Sequence, residues 1–465
     1  MREYAAQIRR LSLVWLLAFA ILAGAAGYWQ VIAAPALQRN PANARAEARR
    51  SLTQPGNIYA ADGTTLILGS KRENGVWEAS YPEPEVFCHL TGYNQRSGLQ
   101  WGLQQALRGE GRFADPWQML LTGRLRGCDV KLTIDAAAQR IAAQALRGHR
   151  GAIVALDPRD GAIRVLASAP AYDPASLSDP GAFTVFTTDP FSPELDRALM
   201  GLYTPGSALK IMTASIALDT HAVTTTQTFS CTGADVVNGS PVRCPEAHGT
   251  VNMDSALAKS CNIYFAHVGA KIGGQRFRDY TRKFHLLDDS LQAWLPLPGK
   301  SGRMADLLGP RGAQLLVHTA YGQGETMVTP LAMARLTATI ARGGTVPQPY
   351  LVSEIMDAEH HALATAQPTE WPAAIRPGTA SLVAGMMSDV VEKGTAGIMR
   401  IPGVRVAAKT GTAQRAHGKP DVWMLAFAPV DHPVVAIAVV IEEGESGSET
   451  AGPAALAVMR ALLGR

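Results

Sequence analysis

Apolar and polar positions along the chain fall into three regimes. From Leu11 to Ala34, "LSLVWLLAFAILAGAAGYWQVIAA", no charge interrupts the run. At about 1.5 Å per residue, some 20 residues cross a hydrocarbon core of about 30 Å, so residues 11–34 are predicted to form one spanning helix. A cleaved signal peptide and a buried core helix are the alternatives, but the run exceeds a typical signal core and "AAPA" is a weak cleavage cue. From Pro35 to Gly148, short apolar runs such as "NIYAADGTTLIL" are broken by Pro, Gly and Arg, the pattern of an irregular, strand-containing stalk. From Gly151 the pattern sharpens. "GAIVAL" and "AIRVLAS" flank "DPRDG", and near the C-terminus "DVWMLAFAP" and "PVVAIAVVIEE" flank "VDH", so two β-hairpins are predicted. Between them, helical spacing predicts helices over 208–218, 255–270, 330–341 and 381–392, with a last helix over 453–463. Strands at both ends with helices between them imply a mixed sheet assembled from the two ends of one domain around a helical insertion.

Composition adds bounds. The 465 residues, 47% of them hydrophobic, suffice for two or three domains and a large core. Only 18% are charged, the net charge is +4, and no Lys/Arg run is dense enough to track a phosphate backbone, so nucleic acid is not an expected partner. Arg2, Arg9 and Arg10 precede the apolar run and Tyr28 with Trp29 follow it, which predicts a single-pass cell-membrane anchor with a short cytoplasmic tail (1–10) and everything beyond it extracytoplasmic. The five cysteines fit that compartment. Cys231 and Cys244 bracket a polar loop and could form a disulfide or remain two thiols; Cys88 and Cys128 pose the same question. Zinc held by Cys231, Cys244 and His248 lacks a fourth ligand in the sequence, so no metal is expected there.

The chemistry begins in "YTPGSALKIM". Pro205 and Gly206 make a turn, and Ser207 then opens an apolar helix whose one early charge is Lys210. On a helix, positions three apart share a face, so the Lys210 amine can approach Ser207 Oγ. Burial would disfavour its ammonium form and make it a general base. A lone Ser-x-x-Lys arises by chance about once or more in a chain of this size, and a helix cap followed by a surface lysine explains it as well. Company changes that. "KSCN" supplies Ser260 and Asn262 as Ser-x-Asn, and "AAKTGTA" supplies Lys409, Thr410 and Gly411 as Lys-Thr-Gly on a strand-like run. The ordered triple is the motif set of penicillin-recognising serine acyltransferases.

The wider sequence resembles class B, monofunctional penicillin-binding proteins. "LTIDAAAQ", "RALMGLYTPGSALK", "GQGETMVTPLAMA", "VVEKGTAG" and "DVWMLAFAP" stand in that family's order, and "NPANARA", "DGTTL" and "LTGYNQRSGLQWGLQQALRG" are similar to its shorter members from high-GC Gram-positive bacteria. Two stalk positions depart: Pro55-Gly56 stands where Arg-Gly is common, and "SGLQ" where an acidic residue is common. The resemblance implies a stalk over 35–148 and, over 149–465, an α/β (α+β) penicillin-binding, serine-β-lactamase-like transpeptidase domain: a mostly antiparallel sheet flanked by helices, with a helical subdomain. It implies a peptidoglycan D,D-transpeptidase that uses no cofactor, is acylated by β-lactam antibiotics, acts on stem peptides, and works with a SEDS-type membrane glycosyltransferase of the division or elongation complex.

Roles follow. Ser207 is the nucleophile, Lys210 its base, Ser260 a proton relay, and Asn262 a holder of Lys210 and of the donor peptide's amide. Lys409 supplies positive potential, while Thr410 and Thr412 take the substrate carboxylate beside Gly411. The backbone N–H groups of Ser207 and Thr412 form the oxyanion hole. No Glu-x-x-Leu-Asn follows Asn262, so a class A β-lactamase is not expected, and Asn262 argues against class D. A D,D-carboxypeptidase and a non-catalytic scaffold remain the alternatives. Cys261 is expected to be a small buried residue rather than a nucleophile, Trp423 core or cleft wall, His360 and His361 solvated loop, and Gly322 with Gly324 a turn before the helix that begins after Thr329.

Overall fold

A computed structural model describes residues 2–33, 53–71, 77–93, 97–113, 126–288, 294–415 and 418–465. The "NPANARA" block and the last residue of the expected anchor lie outside them. The chain opens with a helix, Arg2–Gly27, continued by a wider turn, Tyr28–Ile32. Its stretch Gln7–Gln30 is long and apolar enough to cross a membrane, and none of it is buried against the other described residues.

Both predicted hairpins form, and they join. Antiparallel strands run in the order Ala407–Ala413, Asp421–Ala428, Val435–Ile441, Gly151–Leu156, Ile163–Ala169, and Ile441 pairs with Gly151 where the two ends of the domain meet. The Gly151–Leu156, Asp421–Ala428 and Val435–Ile441 strands are buried along their whole length. Such strands read as unbroken apolar runs because helices cover both faces of the sheet. Pro330–Ala341 lies against the sheet, as does the C-terminal helix Gly452–Leu462, found for the predicted 453–463. Among the described residues, Ala407–Ala413 is an edge strand with one neighbour.

The insertion between the hairpins is helical. A tight turn of helix, Gly206–Leu209, leads into Lys210–Asp219, whose residues are buried except the last. Pro330–Ala341 keeps the predicted bounds, because Thr329 caps it by accepting from the Ala332 N–H and Pro330 occupies its first turn. Pro377–Lys393 starts earlier than the predicted 381, at another first-turn proline. The single helix predicted over 255–270 is two, Met253–Ala258 and Asn262–Ile272, broken at Ser260 with φ 56°. What pulls the Ser260 carbonyl out of the helix is the Lys210 amine.

A second, six-stranded sheet runs Ala362–Thr365, Val352–Met356, Asp129–Leu132, Ile58–Tyr59, Thr65–Lys71, Trp77–Ser80. It draws strands from both sides of residue 149, so two distant stretches of chain build it together. The Ala136–Ala145 helix packs on the Ile163–Ala169 strand and on Gly452–Leu462, tying this part to the catalytic sheet.

Candidate active site

Three backbone segments meet around Ser207. A Cβ on Gly322 (φ 88°) would lie 1.7 Å from the Gly206 carbonyl oxygen, so only glycine lets the Tyr321–Gly324 turn press against the nucleophile's turn. A Cβ on Gly411 would stand 2.9 Å from Trp423 Cβ and 3.1 Å from the Ala208 nitrogen, so glycine also lets the Lys-Thr-Gly strand pack on that turn. The approach is fixed from behind. Tyr203 exchanges backbone hydrogen bonds with Val328 at 3.0 and 2.9 Å, and the buried Trp423 indole donates to the Thr204 carbonyl at 3.0 Å. The Tyr203 hydroxyl donates to Glu442 at 2.9 Å, and Arg197 holds that carboxylate at 2.8 Å.

Lys210 is fully buried and joins all the catalytic candidates of its helix and the next. Its Nζ lies 2.6 Å from the Ser260 carbonyl oxygen, 2.7 Å from Asn262 Oδ1, 2.9 Å from Ser207 Oγ and 3.2 Å from Ser260 Oγ. Burial pushes its pKa from 10.5 down to about 7. The two closest partners are oxygens that only accept, so they consume both N–H bonds of a neutral amine. The lone pair is left for a hydroxyl proton. Asn262 is oriented by its own other contact, Nδ2 donating to the Arg243 carbonyl at 2.8 Å, which obliges Oδ1 to face the amine.

Lys409 approaches from the strand. Its Nζ donates to Ser260 Oγ at 3.0 Å and to the Thr410 carbonyl at 3.0 Å, so Ser260 Oγ stands between two amines. Burial, and then the Lys210 charge, hold the Lys409 pKa well below its ordinary value. The Thr410 hydroxyl is 2.7 Å from that of Thr395. Ser207, Ser260, Asn262, Thr410 and Thr412 line one cleft of about 1050 Å³ beside the Ala407–Ala413 edge strand.

Of the eight candidate residues, these five line the cleft, Lys210 and Lys409 reach Ser207 and Ser260 from buried positions, and Gly411 lies in the strand between Thr410 and Thr412. The bland assignments stand as well. Cys261 is buried with its thiol toward Cys244; Trp423 is core; His360 and His361 are exposed; Gly322 and Gly324 form the turn before Thr329. All five cysteines are free thiols, so neither Cys231–Cys244 nor Cys88–Cys128 is bonded. Among the cleft residues that escaped the sequence reading are Thr395, and Gln323, which donates to the Thr412 carbonyl at 3.2 Å. Both lie in blocks that the family resemblance had marked, but no spacing rule gave either a role.

Residues 151–463 match the family model described as the penicillin binding protein transpeptidase domain. The chain is 32% identical to the peptidoglycan D,D-transpeptidase PbpA of Mycobacterium tuberculosis, over 98% of this chain and 99% of that protein. It is 28% identical to the peptidoglycan D,D-transpeptidase MrdA of Escherichia coli K12, over 72% of this chain and 57% of that protein. The ceftriaxone acyl-enzyme structure of penicillin-binding protein A from M. tuberculosis superposes with a TM-score of 0.83 at 30% identity, covering 90% of this chain and 99% of that one.

Proposed function

Since this chain belongs to the family of penicillin-binding protein transpeptidases, we propose that it is a peptidoglycan D,D-transpeptidase, working through an acyl-enzyme on Ser207 and inhibited by β-lactams. The observation that carries the mechanism is the buried Lys210 amine, 2.9 Å from Ser207 Oγ and held from its other side by the Ser260 carbonyl and Asn262 Oδ1.

Lys210 takes the Ser207 hydroxyl proton as Oγ attacks the carbonyl carbon of the penultimate D-alanine of a stem peptide. The N–H groups of Ser207 and Thr412 receive the oxyanion, an arrangement in which loss of one donor typically costs about 10²- to 10³-fold. As the intermediate collapses, the C–N bond breaks and the leaving D-alanine amine receives a proton through Ser260, which touches both Lys210 and Lys409. The amine of a neighbouring stem peptide then attacks the ester, its proton returns through Lys210 to Ser207, and a cross-link is made. Asn262 holds Lys210 and the donor's amide. A substrate carboxylate at Thr410 and Thr412 favours the charged form of Lys409, and the Lys409 ammonium in turn favours a neutral Lys210. Gly411 lets the strand pack against Ala208 and Trp423, and the strand's free edge can take a peptide that adds to it as a strand.

The apolar N-terminal helix anchors this machinery to the cell membrane. The basic flank supports a cytoplasmic N-terminus (1–10) and a spanning segment over 11–34; beyond it we place a stalk over 35–148, to whose sheet Val352–Met356 and Ala362–Thr365 add, and a catalytic part over 149–465. We assign the anchor and stalk to contact with a SEDS-type glycosyltransferase; recovery of that partner by a stalk-swapped protein in pull-downs would contradict this. The function is tested by supplying uncross-linked glycan strands to the full-length enzyme. Cross-linked dimers with equimolar D-alanine support it, trimmed monomers with D-alanine indicate a carboxypeptidase, and no release indicates a scaffold.

A further inference from the structure

Beside the catalytic turn, and unused by the mechanism, lies a cluster of three cysteines and a histidine. Cys231 ends the Phe229–Cys231 strand, Cys244 follows Ser240–Arg243, His248 precedes Gly249–Val251, and Cys261 caps Asn262–Ile272. Their four ligand atoms all lie within 4.8 Å of one another. A tetrahedron with Zn–S of about 2.3 Å and Zn–N of about 2.0 Å has S···S edges of about 3.8 Å and S···N edges of about 3.5 Å. The observed Cys244–Cys261 and Cys231–His248 separations are 3.7 and 3.4 Å.

The surroundings suit thiolates. Cys231 and Cys261 are buried. The Asn262 N–H donates to Cys244 Sγ at 3.2 Å and the Tyr264 N–H to Cys261 Sγ at 3.4 Å, stabilising anionic sulfur. His248 presents Nδ1 to the cluster, 3.4 Å from Cys231 Sγ, with the Glu246 carboxylate 3.7 Å from its Nε2. The sequence hid the fourth ligand: Cys261 belongs to the Ser-x-Asn motif and is reached only by folding.

We propose that Cys231, Cys244, His248 and Cys261 bind one zinc ion in a closed tetrahedral site that clamps the turn carrying Ser260 and Asn262. Binding replaces three thiol protons, so one Zn²⁺ enters as three H⁺ leave and the neutral imidazole donates its lone pair. Cys261 sits between the two catalytic side chains, so fixing its sulfur from three other backbone segments fixes the Ser260 carbonyl and Asn262 Oδ1 that hold Lys210. Three thiolates favour zinc over calcium or magnesium, which take oxygen ligands.

The test is elemental analysis of full-length protein purified in detergent from zinc-supplemented cells, without chelator. One zinc per chain is expected in wild type and in Cys88→Ser, and less than about one-fifth of that in Cys231→Ser and His248→Ala. Replacement with Co²⁺ in wild type should give thiolate-to-metal charge-transfer absorption and the intense visible bands of a tetrahedral site, which requires no variant to fold. Chelation should slow acylation by a fluorescent penicillin about tenfold or more, with zinc restoring it. Metal-free wild type with five titratable thiols, or a Cys244–Cys261 disulfide in the purified protein, would overturn the site. An acylation rate indifferent to chelation would overturn the clamp.

Discussion

The Lys210 amine stands 2.9 Å from Ser207 Oγ while the Ser260 carbonyl and Asn262 Oδ1 hold it from the other side at 2.6 and 2.7 Å. With burial setting its pKa at about 7, the free amine is the form present above neutrality. The rate of acylation by a fluorescent penicillin should therefore fall about tenfold per pH unit below about 7 and level off above it. Lys210→Arg, permanently protonated, should abolish acylation at every pH, as a rapid-quench series would show.

Asn262→Asp should move that acid limb. A carboxylate in place of Oδ1 stabilises the Lys210 ammonium, so the limb should shift upward by about 1–3 pH units, whereas Asn262→Ala should lower the plateau without an upward shift. The same quench series reads both.

How much of this was legible in the sequence depends on where each element draws its stability. The Pro330–Ala341 helix carries its own cap and first-turn proline, and both hairpins carry their own turns, so local pattern sufficed. The break at Ser260 has no local signal: a left-handed residue between two helix-forming stretches persists because Lys210, 50 positions earlier, takes its carbonyl. The joining of Val352–Met356 to Asp129–Leu132 was equally hidden, since pairing across such a separation leaves no mark in either strand. Thr395 and Gln323 were missed for the same reason.

Thr395→Val tests the first of those. Losing the hydroxyl 2.7 Å from Thr410 frees the Thr410 side chain, which should raise the apparent KM for peptide donors about tenfold while leaving kcat within about twofold. Steady-state D-alanine release measures both constants.

Gly322→Ala should be severe for backbone reasons. Its Cβ would meet the Gly206 carbonyl at 1.7 Å, forcing the turns apart; a stability loss above about 2 kcal/mol and a Tm lower by at least about 4 °C are expected, with acylation lost in parallel. Calorimetry beside penicillin labelling checks this.

Acylation of Ser207 is read by intact-mass and peptide-mapping mass spectrometry after brief exposure to a β-lactam. One adduct per chain, confined to the Ser207 hydroxyl and absent from Ser207→Ala, is the expected result. An adduct on Cys244, Cys261 or any other side chain, or folded wild-type protein that takes up none, would contradict it.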